Sequence, residues 1–596
     1  MQVEHTIYRD RSQSIATRID DLLGQMTLDE KIGQMTQVEK NSITPDDVRA
    51  YHIGSVLSGG GGNPTPNNQQ AWRKMVQAFI EASLQTRLGI PIIYGVDAVH
   101  GHNNLHGATI FPHNIGLGAA GDADLVERIA QATAQELLAT NVHWNFAPAV
   151  SVPQDIRWGR TYEGYSENTT LVSQLGAAYV RGLQRSTDAD EWVMASVKHF
   201  VGDGGTAWDS RADMPYTVAN NWQAASPNWR IDQGDTRIDE ATLRDIHLAP
   251  YQDAIDAGAQ NIMVSFSSWN GDKMHAHRYL LTDVLKGEMG FEGFLISDWM
   301  AVNQINDDFY QAVVASINAG LDMIMVPFDY KQFIQTMQTA IANGDISMAR
   351  VDDAVARILR AKFMLGIFEK PLTDKSLDLI GSDAHRAIAR EAVHKSLVLL
   401  KNEDTLPLAP TDQIVVAGQP ADDIGLACGG WTIDWQGGIG AITSGSTFLN
   451  GMQQRAEDSV LYSANGQFDE QMAVGIVVIA EKPYAEGEGD RADLTISDAD
   501  TELIANMRAR CDKLVLVIYS GRPLIITHVV DQCDAIIAGW LPGSEADAIA
   551  DAIFGTVPFT GKLPYTWVQS MAQLPLSHLH AQDEQPLWQF GFGLSS

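Results

Sequence analysis

Short β-branched and apolar runs alternate along the chain with longer stretches of helical spacing, the pattern of parallel strands joined by helices. In the first half the strand-like runs are IGSVLS from Ile53, IPIIYGV from Ile90, NVHWNFAP from Asn141, WVMASVKHF from Trp192, NIMVSFSSW from Asn261, GFLISDW from Gly293 and LDMIMVP from Leu321. Between them, TLDEKIGQM opens on a capping box, Thr27 to Glu30, in which each side chain satisfies the other's amide. DADLVERIAQATAQELLAT and DEATLRDIHLAPYQDAIDAG also have helical spacing. Seven strands alternating with helices predict a (β/α)8-type barrel with one strand irregular or hidden.

The pattern breaks at EKPLTDKSLDLIGSDAH, a polar stretch containing Pro371 and Gly381. A second series follows: SLVLLKN from Ser396, QIVVAG from Gln413, VGIVVIAE from Val474, KLVLVIYSG from Lys513 and AIIAGW from Ala535. Five or six short strands with flanking helices fit an open αβα sandwich. The expected organisation is an α/β chain: a barrel domain at 1–370, a linker at 371–385, a sandwich domain at 386–560 and a loop-rich aromatic tail at 561–596. The tail is expected to pack on one of the two domains.

Composition narrows the partners. The 596 residues carry 41 Lys plus Arg against 74 Asp plus Glu, a net charge of −33. Such a surface repels phosphate backbones and anionic lipids, so nucleic acid and membranes are not expected partners. Three cysteines, Cys428, Cys511 and Cys533, exclude a disulfide scaffold or a four-cysteine zinc site. The opening MQVEHTIYRDRSQS has no apolar leader, so the chain reads as cytoplasmic, or as periplasmic or secreted once a leader has been removed.

Chemistry-bearing residues gather at the ends of the strand-like runs, where a parallel barrel builds its sites. Asp298 and Trp299 follow a fully apolar run, and the carboxylate there either caps the next helix or serves a ligand. Lys198 and His199 end another run and enter a glycine-rich turn with Asp203. Strict alternation would point these two to opposite sides unless the strand bends. Asp97 is followed by His100, His102 and His106, but the spacing is not that of a helical metal site, and neither metal nor cofactor is expected. Arg157 and Arg160 flank Trp158, to hold a polar ligand or brace neighbouring acids. In the second half, Trp431 and Trp435 lie among glycines and suit the apolar face of a sugar ring. Glu481, Glu486, Glu488 and Asp490 crowd one loop, where crowding raises carboxyl pKa values toward those of a general acid.

Together KHFVGDGGT, GFLISDW, GVDAVHGHNN, RWGRTYE, SSWNG and CGGWTIDWQG resemble the glycoside hydrolase family 3 β-glucosidases, most of all the exo-β-glucan glucohydrolases acting on 1,3- and 1,4-linked glucans. The resemblance runs from TLDEKIGQM to FGFGLS. It implies a barrel followed by a sandwich, with the active site between them and β-glucan oligosaccharides and β-glucosides as substrates. It further implies that Asp298 is the nucleophile and Glu486 the acid/base, with Glu481 and Glu488 as competitors for the second role. Asp97, Arg160, Lys198 and His199 would hold the terminal glucose, and Trp299 and Trp435 would clamp the next sugar. A retaining glycosidase needs two carboxyl groups about 5–5.5 Å apart, one ionised and one protonated.

Three departures bear on specificity. Phe266 stands where close relatives have a tyrosine, and Met300 and Gln304 stand where relatives have an acid and an arginine. The stretch from Trp208 to Asp235 is rich in Trp, Asn and Pro and is expected to form a long loop near the cleft. The alternatives are a β-xylosidase of the same family and a sugar-binding protein with a dead site. A β-N-acetylglucosaminidase fits less well, because its loop reads KHFPGHGDT and this chain has KHFVGDGGT.

Overall fold

The computed structural model describes residues 6–184, 191–213, 228–456, 460–582 and 584–595. Eight short strands build the first sheet: β1 (Thr36–Glu39), β2 (Ser55–Ser58), β3 (Ile93–Val96), β4 (Trp144–Asn145), β5 (Met194–Phe200), β6 (Asn261–Val264), β7 (Phe294–Ile296) and β8 (Ile324–Met325). They run parallel in chain order from β1 to β7, with β8 beside β1. A bridge between Ile296 and Met323 brings the two edges together into a nearly closed barrel. The seven strand-like runs supply β2 to β8. The hidden strand is β1, four residues long with three of them polar. Its Gln37 is buried and donates to Ser55 Oγ at 2.9 Å, so apolar patterning could not reveal it.

The helices follow from local chemistry. Thr27 and Glu30 make the reciprocal capping bonds. The helical stretch from Glu240 is interrupted at Leu243–Leu248 by a wider, π-helical turn before it resumes at Ala249–Asp256. Pro250 cannot donate to the carbonyl four residues back, Ile246, and Thr169 Oγ1 supplies that oxygen with a bond of 3.2 Å.

The second sheet contains β9 (Val398–Asn402), β10 (Ile414–Ala417), β11 (Leu461–Ser463), β12 (Met472–Ala480), β13 (Cys511–Tyr519) and β14 (Ala535–Trp540), in the order β9-β14-β13-β12-β10-β11. Only β9 is antiparallel to its neighbour. Side-chain alternation divides this sheet between two cores. Val415, Val477, Leu516 and Ile536 enter one, and Val416, Ile476, Val517 and Ile537 the other. The first of these cores also takes Ile115, Ile156 and Tyr162 from the barrel side, and Tyr565 and Trp567 from the C-terminal segment. That segment touches both lobes, since Tyr565 Oη donates to the Thr161 carbonyl at 3.2 Å. All three cysteines are buried and free. No helix among the described residues is long and apolar enough to cross a membrane.

Candidate active site

A cavity of about 200 Å³ lies between the lobes at the C-terminal ends of the barrel strands. All nine residues singled out from the sequence line it: Asp97, Arg160, Lys198, His199, Phe266, Asp298 and Trp299 from the barrel side, and Trp435 and Glu486 from the sandwich side. Burial falls from the inside outward. Lys198 is 2% exposed and His199 4%, Trp299 and Trp435 are half-buried, and Phe328 is 49% exposed.

Asp298 sits two residues beyond β7. Its carboxylate accepts the Trp299 N–H at 2.6 Å, and its own N–H donates to His275 Nε2 at 3.0 Å. His275 was not legible as a site residue. It must be unprotonated at Nε2 to accept that bond, and burial, together with Lys273, drives its pKa down to about 3. Lys198 and His199 both reach the cavity because the pairing of β5 with β6 shifts register between Val197 and Phe200. Lys198 Nζ pairs with Asp97 Oδ1 at 3.2 Å. Asp203 accepts from Ser151 Oγ at 2.7 Å and from the Gly204 N–H, and it lies 2.9 Å from His199 Nδ1. With the Nδ1 proton held there, Nε2 of His199 presents a lone pair to the cavity, 3.7 Å from Asp298 Oδ2. Burial, with Arg160 and Lys198 nearby, keeps this ring neutral.

The two arginines part company. Arg157 pairs with Asp155 and stacks over Trp208, outside the cavity. Arg160 is gripped by Glu163 at 3.0 and 2.9 Å and reaches across the seam to Glu486 Oε1 at 3.2 Å. Trp431 also lines the cavity, donating its indole N–H to Glu163 at 3.1 Å. Two of the histidines after Asp97 are spent on structure, and His106 is exposed. His100 stacks on His113 and meets Thr432 at 3.1 Å, and His102 meets Thr140 at 3.0 Å.

Of the three competing glutamates, Glu486 alone lines the cavity among the described residues. Glu481 is bound by Tyr484 Oη, the Gly521 N–H and Arg491, and Glu488 by the Trp229 indole at 2.7 Å. Glu486 has φ +55°, a left-handed conformation that a non-glycine residue adopts only when its surroundings impose it. The surroundings are specific. A Cβ on Gly159 would meet the Glu486 carbonyl at 1.9 Å, so only glycine lets the barrel loop approach this closely. Asp490, four residues on, accepts the backbone N–H groups of Gly159, Arg230, Ile231 and Asp232 at 2.8–2.9 Å. The described C-terminal end of the long loop packs against the loop that carries Glu486, through Trp229 and Asp232; residues 214–227 lie outside the described set.

The departures resolve differently. Phe266 lines the cavity, with its ring 6.1 Å from His275. Gln304 turns away into a buried chain, accepting from Lys273 and donating to Gln233, both at 2.9 Å.

Electrostatics separate the two central carboxyl groups. Burial raises Asp298 to about 6, restrained by Arg160, the Trp299 N–H and Lys198. Burial raises Glu486 further, to about 8, against Arg160 and with the help of the negative Asp232 and Asp298. Between these values Asp298 is mostly ionised and Glu486 mostly protonated.

Comparison with known proteins agrees with this arrangement. Residues 27–225 and 228–361 match the glycosyl hydrolase family 3 N-terminal domain, and residues 397–596 match its C-terminal domain. The lysosomal beta glucosidase of Dictyostelium discoideum is 31% identical over 97% of this chain and 76% of its own length. The crystal structure of an exo-1,3/1,4-beta-glucanase from a Pseudoalteromonas species superposes with a TM-score of 0.90 at 39% identity, covering 100% of this chain and 75% of that one. A beta-glucosidase from Listeria innocua in complex with glucose gives 0.82 at 27% identity, covering 98% of this chain and 83% of that one. The barrel, the sandwich and the cavity on their seam are therefore those of a glycoside hydrolase, and the chain belongs to glycosyl hydrolase family 3.

Proposed function

We propose that this protein is a retaining, exo-acting β-glucosidase that releases glucose from the non-reducing ends of β-glucans and their oligosaccharides. One observation carries the reading: the carboxyl groups of Asp298 and Glu486, from different lobes, line one cavity, where burial raises the second above the first. Asp298 attacks the anomeric carbon while the bond to the departing oxygen breaks. Glu486 gives its proton to that oxygen, leaving a covalent glucosyl-enzyme. Esterification removes the Asp298 charge that had helped hold the proton on Glu486, so Glu486 now ionises more easily and takes a proton from the incoming water. The water oxygen bonds to the anomeric carbon and frees Asp298; two inversions give net retention.

Asp97, Lys198, Arg160 and His199 supply charged or polar partners for the hydroxyls of one sugar at the inner end. Trp299 and Trp435 offer flat faces to the sugar beyond it. A site that is buried inside and aromatic at its mouth favours removal of single terminal residues.

The test is incubation with a 2-deoxy-2-fluoro β-glucoside followed by peptide mapping. The expected result is a stable label on the peptide containing Asp298. A label on any other carboxylate, or product of inverted configuration, overturns the reading.

A further inference from the structure

Beyond Trp299 a second cavity adjoins the first. Phe328, 49% exposed, stands edge-on to Trp299 with ring centroids 5.6 Å apart, and it also lines a second cavity of about 220 Å³. Met300, Asn303, Asp329 and Gln332 are among the walls of that second cavity. The two cavities therefore adjoin, with one aromatic ring lining both. Polar groups accompany it. Asp329 occupies the N-cap position of the helix Tyr330–Asn343, yet its side chain makes no capping bond, so the carboxylate is not spent on the helix as an aspartate there ordinarily is. Met300 holds φ +55° at the rim, a left-handed backbone that turns the chain between the cavities.

We infer that the cavity beside Phe328 is an outer sugar subsite, which takes the reducing-end glucose units of a β-glucan oligosaccharide beyond the unit next to the scissile bond. The Phe328 ring covers the C–H face of a pyranose, and Asn303, Asp329 and Gln332 meet its hydroxyls. Adjacency to the active cavity selects this occupant, because a sugar chain that leaves past Trp299 meets the ring packed edge-on against it. Met300, a soft apolar side chain, borders the same space. The inference rests on the β-glucosidase reading and extends it to chain length.

The experiment is a comparison of kcat/KM for β-1,3-linked glucose disaccharide, trisaccharide and tetrasaccharide, together with the β-1,4-linked series, in the full-length protein. In at least one series the unmodified protein is expected to gain roughly three- to tenfold from disaccharide to trisaccharide or from trisaccharide to tetrasaccharide. Phe328→Ala is expected to bring that ratio to about one, Phe328→Tyr to retain it, and Asp329→Asn to reduce it. A flat chain-length profile in both series, or an unchanged ratio in Phe328→Ala, overturns the subsite while glucose release continues. No glucose release from any β-glucoside overturns the enzymatic reading and the subsite together.

Discussion

The two walls of the active cavity are built by different means. On the barrel side, Asp97 and Asp298 lie within two residues of strands β3 and β7, and Lys198 and His199 lie within β5, so strand register fixes them. On the sandwich side, Glu486 rides a short turn with left-handed backbone, and much of its placement comes from the opposite lobe. Asp490 gathers four N–H groups from barrel loops, Gly159 abuts the Glu486 carbonyl, and Arg160 reaches its carboxyl. One wall is rigid by its own fold, and the other is aligned by docking. A carboxyl displaced by about 1 Å can lose on the order of 10²-fold in rate, so docking is part of the catalytic geometry.

Three substitutions probe this contrast. The largest effect is expected for Glu486→Ala, about 10²–10⁴-fold in kcat/KM on natural β-glucosides; with an activated aryl β-glucoside, whose leaving group needs no proton, azide is expected to restore turnover as a β-glucosyl azide product. If Glu481→Ala or Glu488→Ala costs as much and is likewise rescued, the acid lies elsewhere on the loop. Next comes Asp490→Ala. It removes no group from the cavity, but it strips four N–H groups, three of them buried, of their acceptor, at about 1–3 kcal/mol each where water cannot replace it. A fall in kcat of roughly 10–100-fold with unchanged far-UV circular dichroism is expected. An unchanged kcat would mean that the sandwich wall needs no latch.

The smallest effect is on the pH profile. Under the proposed mechanism activity needs Asp298 ionised, hence pH above about 6, and Glu486 protonated, hence pH below about 8. Asp232 is a buried negative neighbour that raises Glu486. Asp232→Asn should therefore ease ionisation of Glu486 and move the alkaline limb of kcat/KM to lower pH, with the acid limb nearly still. A limb that stays in place would remove Asp232 from the control of the acid.

Much of this was legible in the sequence, and the reason for the rest is physical. Apolar runs announced β2 to β8 because both faces of those strands are buried. They could not announce β1, whose Gln37 is satisfied by Ser55 on the neighbouring strand, nor the three-residue edge strand β11. All nine singled-out residues meet in the cavity, since residues at strand ends and in glycine-rich loops carry local signals. His275, Asp232 and Asp490 act through partners 23 to 331 positions away, and no local spacing encodes such contacts. The convergence of Lys198 and His199 depends on a register shift that alternation would have denied.

The seam has a consequence for biosynthesis. Residues 27–361 carry Asp298 and residues 397–596 carry Glu486, so under the proposed mechanism a ribosome part-way through the message has made only half of the reaction. Hydrolysis becomes possible only when the last strands have joined the first, which makes glucose release a report on complete assembly and two separately expressed fragments a natural pair for a complementation assay.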